Sequence, residues 1–289
     1  MAIKIIAPSI PSRMLNWNGI HSRLRDYPWW LVGILFLVLG TFYLILTQST
    51  FSEAFTFIKA GLSVTLSTTF SAFGIALIIG LLAGLGRISG NVFIRNIATL
   101  YIELVRGIPM LVLIFVIAIV AVPALVTGLN ALGATLAENG LPSLAALFSG
   151  IENKEVPMTA RAVTALAATY GAFLAEIFRA GIQSIGKGQM EAARSQGMSY
   201  VQAMRYVILP QAVRNVLPAL GNDFISMLKD SSLVSVLAVR DITQVTRLYT
   251  GQTFRYQEAF TTLAILYLTM TVILSLLVKI IEGKLRRNE

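Results

Sequence analysis

Six stretches of the chain are apolar over roughly the 20 residues that a helix needs to cross a hydrocarbon layer. They run approximately from Trp29 to Thr47, Phe57 to Leu85, Leu104 to Val126, Thr159 to Ala180, Val207 to Leu228 and Ala259 to Ile281. Inside lipid every backbone N–H and C=O has to be bonded, and helices achieve this within one segment. The expected class is therefore all-α, a polytopic membrane bundle of about six transmembrane helices. Composition agrees, since 56% of the 289 residues are hydrophobic and only 13% are charged. That is about half the charged share of an ordinary soluble domain. The first stretch is too long for a signal-peptide core, and Gln48-Ser49-Thr50 behind it lacks a small-x-small cleavage pattern. It reads as a retained anchor.

Basic residues set the orientation. An even number of spans places both termini on one side. Lys4, Arg13, Arg23 and Arg25 lie in the N-terminal tail, and Lys279, Lys284, Arg286 and Arg287 lie in the C-terminal one. With Arg87, Arg95 and Arg106 after the second span and Arg179, Lys187, Arg194, Arg205 and Arg214 around the fourth-to-fifth connection, most of the 23 Lys and Arg share one face. The positive-inside rule makes that face cytoplasmic. The longest opposite loop, around Gly128 to Met158, carries Glu138, Glu152 and Glu155 against Lys154 alone. The polar tail 1–28 is expected to be cytoplasmic, and residues 29–56 to hold one helix and an external loop. The net charge of +9 does not point to nucleic acid, because the basic residues follow the membrane segments instead of gathering on one solvated face. Cysteine is absent and His21 is the only histidine, which excludes disulfides, Cys/His zinc sites and catalytic dyads or triads built on those residues.

Four groups of residues carry possible function. Gly181 to Lys187 has the spacing of half a phosphate-binding loop, but position 188 is Gly where a magnesium-binding hydroxyl is required, and a span precedes it where a strand is required. Glu103 and Arg106, three apart beside Pro109, can neutralise one another, as can Glu176 and Arg179. Each pair reads as a structural ion pair or as a pathway contact. Near the end of the fifth span, Asn222, Asp223, Ser226, Lys229 and Asp230 place polar and ionised groups in a membrane segment. Such groups cost several kcal/mol unless paired or hydrated, so they mark a substrate pathway or a buried ion network. Gly80 and Gly84 form a close-packing face.

The fourth group is Lys187 to Ala212, a polar stretch between two spans. Ala192 and Ala193 favour a short helix, Gly197 is a natural left-handed stop, and Ser199 with Gln202 has capping-box spacing for a second helix. Isolated helices this short are marginal in water. A partner docked on the pair would supply the missing support, with the alanines allowing close approach and Glu191 and Arg194 as polar anchors; the alternative is a plain surface loop.

Glu191-Ala192-Ala193, Gly197 and Ile208-Leu209-Pro210 resemble the EAA loop of binding-protein-dependent ABC importer permeases. Gly61-Leu-Ser-Val-Thr65, Tyr101-Ile-Glu103-Leu-Val-Arg106-Gly-Ile-Pro109, Pro210-Gln-Ala-Val-Arg214 and Leu228-Lys229-Asp230-Ser231-Ser232-Leu233 are similar to the polar amino acid branch. The likeness covers roughly Gly61 to Ile281. It implies a type-1 permease domain over residues 57–289, with the coupling loop at about 187–212 and ATPase contacts at Glu191, Ala192, Ala193 and Gly197. It also implies a bacterial inner-membrane complex of two permease subunits, identical or different, two ATPase subunits and an external solute-binding protein, carrying amino acids. The chain itself would bind no cofactor and catalyse no reaction; ATP and magnesium would be used by the partner ATPase. Three features depart from the branch: an extra N-terminal helix on a five-helix core, serine at position 231 where threonine is expected, and the long loop between the third and fourth spans. The other functional classes are an ABC permease for a different small solute and an ion-coupled secondary transporter.

Overall fold

The computed structural model describes residues 29–286. The tail 1–28 and residues 287–289 lie outside the described residues. The regular structure of the described residues is helical, with no strand among them, as the apolar pattern requires. Helix α1 is Trp29–Thr47 and α2 is Ser49–Ile58, and a 3-10 turn at Lys59–Gly61 leads into α3, Leu62–Arg87. Next come α4 (Val92–Gly107), α5 (Met110–Glu138, with a π turn at Val116–Ala121), α6 (Pro142–Phe148) and α7 (Met158–Ser184). The C-terminal part holds α8 (Lys187–Ser195), α9 (Tyr200–Ala203), α10 (Leu209–Asp230), α11 (Ile242–Thr253) and α12 (Tyr256–Arg286).

Four helical stretches are long and apolar enough to cross a membrane: Ser49–Arg87, α5, α7 and most of α12. The other two expected spans are present as helices, but α1 is short and α10 is polar along one face. The expected third span is displaced. Its predicted start at Leu104 falls inside α4, because Pro109 lacks an N–H and drives Ile108 to φ −107°, ψ 136°. Glu103 and Arg106 therefore sit on a separate amphipathic helix before the span. The span continues through Val126 to Glu138, so the expected external loop from Gly128 is helical in its first third. The remainder folds back on it: Asn130 donates to the Ile151 carbonyl at 2.8 Å and accepts from the Gly150 amide at 3.0 Å.

Helix α7 is the axis of the bundle. Its apolar window is 67% buried, against 11% for α12. It is also the least apolar of the four spans, being rich in alanine. That inversion is the membrane pattern: hydrophobic side chains face lipid, while small ones let helices approach. A Cβ on Gly80 would lie 2.6 Å from the Leu174 Cβ, and one on Gly84 would lie 2.8 Å from the Ala175 carbonyl oxygen. Close packing is thus the role of this glycine pair. The main core fills the space among α3, α5, α7, α10 and the 3-10 turn Ser231–Leu237. A second cluster joins α2, α11 and α12.

Candidate functional site

On the side where α7 ends and α10 begins, α8 and α9 form the expected helix pair. Helix α8 closes with a Schellman turn: Met198 N–H bonds the Ala193 carbonyl at 3.3 Å, Gly197 N–H bonds the Arg194 carbonyl at 3.0 Å, and Gly197 has φ +84°. The Ser199 amide donates to Gln202 Oε1 at 2.8 Å and the Gln202 amide donates to Ser199 Oγ at 3.2 Å, completing the capping box. The second helix is not free-standing, however. Through a π turn at Met204–Ile208 it runs directly into α10, so α9 is the projecting end of the fifth span.

The pair is amphipathic toward the bundle. Ile208, Ala212 and Ile182 are buried, with Met190, Met204, Leu85 and Ile185 packed around them. Ala193 is buried too and faces inward, whereas Glu191, Ala192 and Gly197 are exposed. The outer surface adds three residues the motif reading passed over: Tyr200, Val201 and Tyr206, at 54%, 70% and 65% exposure. Exposed aromatic and aliphatic side chains of this kind are suited to burial against another protein. The phosphate-loop spacing has a structural origin as well. A Cβ on Gly181 would lie 2.0 Å from Val216 Cγ1, so this glycine lets α10 cross α7.

Above the pair an ionic bridge ties three helices together. Arg87 of α3 bonds Glu103 of α4 at 2.7 Å and also bonds Glu176 of α7. Glu176 accepts from Arg179 Nε at 3.0 Å and Nη2 at 2.7 Å. The Glu176–Arg179 pair is as expected, but Glu103 does not pair with Arg106. The crossing of α4 over α3 brings Glu103 to Arg87, and the Arg106 guanidinium lies 5.8 Å from the centre of the Phe173 ring. In the sequence Arg87 marks only orientation, because its partners are brought to it by helix crossing.

The polar residues of α10 share one face. Lys229, Asn222 and Ser226 form its centre, with Asp230 and Asp223 on one flank, while Leu220, Met227 and Leu228 fill the core behind them. Asn222 and Lys229 are exposed, and Asp223, Ser226 and Asp230 are half-buried. Asp230 accepts a 2.7 Å hydrogen bond from Tyr170 of α7, a partner that no spacing rule announces. On the other flank Asn222 shares a groove of about 370 Å³ with Thr271, Ser275 and Lys279 of α12. The stripe is thus exposed at Asn222 and Lys229, with hydroxyl groups of α7 and α12 on its two flanks.

Residues 76–287 match the family described as binding-protein-dependent transport system inner membrane component. The chain belongs to this family. Its relatives include the probable glutamine ABC transporter permease protein GlnM of Bacillus subtilis (strain 168), 32% identical over 236 residues that cover 82% of this chain and 96% of that one. The arginine transport system permease protein ArtQ of the same organism is 30% identical over 233 residues, covering 81% and 94%. A solved amino acid ABC transporter, crystallised with histidines, superposes with a TM-score of 0.64 at 37% identity, covering 83% of this chain and 98% of that one. The permease fold is therefore shared over the core, and α1 lies before the stretch that the family match covers.

Proposed function

We propose that this chain is the permease subunit of an amino acid importer, that α8 and α9 dock on an ATPase subunit, and that the polar face of α10 lines the path of a polar or charged amino acid. The observation that carries the reading is the continuity of α9 with α10. A push on the exposed Tyr200 end of α9, against which α8 with Glu191 and Ala192 is set, is delivered along one helix to Asn222, Ser226 and Lys229. Nucleotide-driven closure of the ATPases would then tilt α10, and alternating access follows when the stripe opens to opposite sides in two states. A polar stripe cannot face lipid without cost, which supports a second permease subunit, identical or not, closing the path from across α10.

In this reading an external binding protein delivers the substrate, ATP and magnesium are used by the partner ATPase, and residues 57–289 form the transport unit with α1 added to it. The names of the relatives, which include glutamine and arginine, support an amino acid cargo. The membrane is the bacterial inner membrane, with both termini in the cytoplasm. Reconstitution with the ATPase and binding protein tests the function: polar or charged amino acids should stimulate ATP hydrolysis severalfold, and stimulation by another solute class alone would refute the cargo. Reporters fused after Glu289 should be cytosolic and one inserted at Glu152 external; the reverse pattern would overturn the orientation.

A further inference from the structure

At the end of the bundle away from α8 and α9, four elements meet around Asp241. Asp241 is fully buried. It caps α11, with Oδ1 accepting from the Gln244 amide at 2.8 Å. Its Oδ2 has no hydrogen-bond partner among the described residues, and neither has the buried Oε1 of Gln244. None of the ion pairs reaches Asp241: Arg240 beside it is exposed and lines an adjoining cavity of about 870 Å³, and Glu53 in that cavity is paired with Arg255.

The turn Lys59–Gly61 and the start of α3 press on the Asp241 backbone; the titratable group there, Lys59, is exposed and lies over the Phe55 ring. A Cβ on Gly61 would lie 2.6 Å from the Asp241 carbonyl carbon, and the Ile242 amide donates to Thr65 Oγ1 at 3.1 Å. The turn after α10 offers the Ser231 hydroxyl. From α12 comes Tyr267, whose hydroxyl is hydrogen-bonded with Thr243 at 3.0 Å and lies beside both Asp241 and Ser231.

A buried carboxylate without a counter-charge costs several kcal/mol, so it is neutralised by a proton or by a bound cation. A hard cation takes about six oxygens. This corner offers too few, because the Thr243 and Tyr267 hydroxyls already bond each other. One proton suffices, since a neutral carboxyl turns the orphaned Oδ2 into a donor facing hydroxyl acceptors.

We propose that Asp241 is a proton-binding site that senses the medium beyond the membrane and sets the strength of the α3–α11 closure. The cavity lined by Ala60, Val64, Arg240 and Val245 adjoins the corner through the residue next to Asp241. The sidedness, and the link from this closure to transport, rest on the permease reading above. Burial pushes the carboxyl up to about 6, against the opposing bonds from the Gln244 and Thr243 amides and the Thr243 hydroxyl. A folded-state value above that of an exposed carboxylate, about 4, means that the closure is firmest below that value. It weakens as pH rises through about 6. The segment that follows Lys229 and Asp230 ends at this corner, so its tightness bears on the outer end of the α10 stripe.

Infrared difference spectra of the full chain in lipid nanodiscs, titrated from acid to neutral pH, test the site without reference to transport. A carboxyl C=O band should vanish with a midpoint near 6, be missing from Asp241→Asn, and persist to higher pH in Thr243→Val, which removes a donor to the ionised form. A band unchanged in Asp241→Asn, or one titrating in the ordinary carboxylate range, overturns the proposal. Asn keeps the helix cap, and binding of the ATPase by Asp241→Asn reports that it folds. In the reconstituted importer, Asp241→Asn should also flatten the dependence of substrate-stimulated hydrolysis on external pH. An unchanged profile overturns the coupling even where the band shows the proton. Should no amino acid stimulate hydrolysis, the transport reading fails while the band still decides the site.

Discussion

The α3–α7 seam and the outer face of α10 are both poor in large apolar side chains, yet the first is sealed inside this chain and the second is left open. At the seam, Gly80, Gly84 and Gly171 remove the side chain altogether, so backbone meets side chain at van der Waals distance. On α10, Asn222 and Lys229 project hydrogen-bonding groups that the described residues leave exposed, with Ser226 half-buried between them. Lipid rewards neither arrangement by a hydrophobic effect, because acyl tails are as apolar as leucine. Small residues are used where the fold must be fixed, and polar ones, on the proposed function, where substrate passes.

The largest effect is expected from breaking the seam. Gly80→Val places a branched side chain where even a Cβ would sit 2.6 Å from Leu174. Overpacking of this sort costs about 1–3 kcal/mol or more, and no flexible side chain is available to yield. The variant should lose most of its folded, monodisperse fraction in detergent chromatography and melt earlier. Gly188→Ala, where open space surrounds the glycine, should behave like the parent. Equal yields for the two would show that the seam tolerates volume and that the contrast with α10 is not one of packing.

Next comes the docking surface. Gly197→Val forces a β-branched residue to φ +84°, at about 1–2 kcal/mol of local strain, and releases the turn between α8 and α9. The bundle should remain folded. Retention of the ATPase in membranes should fall severalfold, and substrate should no longer stimulate hydrolysis. Glu191→Lys, which reverses an exposed charge without straining the backbone, should give a smaller loss of the same kind. Wild-type retention and stimulation in both variants would make Lys187–Ala212 an ordinary loop.

On α10 itself, Lys229→Ala removes an exposed charge with no partner among the described residues. Its melting temperature should match the parent, since surface changes stay within about 0.5 kcal/mol. Uptake per folded complex should drop or change its preference among charged and neutral amino acids. Unaltered kinetics in a folded variant would remove Lys229 from the path and leave the stripe to a structural role.

How much of this was legible in the sequence depended on the range of the interaction. The left-handed stop at Gly197 and the Ser199–Gln202 box are local, spanning at most six residues, and appear in the structure as read. The helical class and the packing role of Gly80 and Gly84 follow from apolar length and glycine spacing, which are also near-neighbour properties. The span boundaries at Leu104 and Gly128 misled because hydropathy averages across Pro109, while the break is set by one missing N–H. The partners of Glu103 and Asp230 were hidden for a different reason. Arg87 and Tyr170 meet them only through the crossing of helices 16 and 60 residues away in sequence. Likewise, Ala193 turning inward while Ala192 faces outward is a matter of helix phase against a neighbour.

The smallest effect separates the two ends of the ionic bridge. Glu103 and Glu176 both bond Arg87, but their side chains are 61% and 18% exposed. Water solvates Glu103 nearly as well as Arg87 does, so a pair at that end is worth about 0–1 kcal/mol. Glu176 is half enclosed and holds a second guanidinium, from Arg179. Deleting Glu103 therefore leaves Arg87 anchored, whereas deleting Glu176 leaves Arg87 with only its exposed partner and Arg179 with none of its carboxylate bonds. Glu103→Ala should shift the melting temperature of the lipid-reconstituted protein by a degree or so, and added salt should remove even that difference. Glu176→Ala should destabilise it by several times as much and stay destabilised in salt. If the two substitutions cost the same, exposure does not govern this bridge. The α4 end would then have to be counted with the sealed seam and not with the open surfaces of the chain.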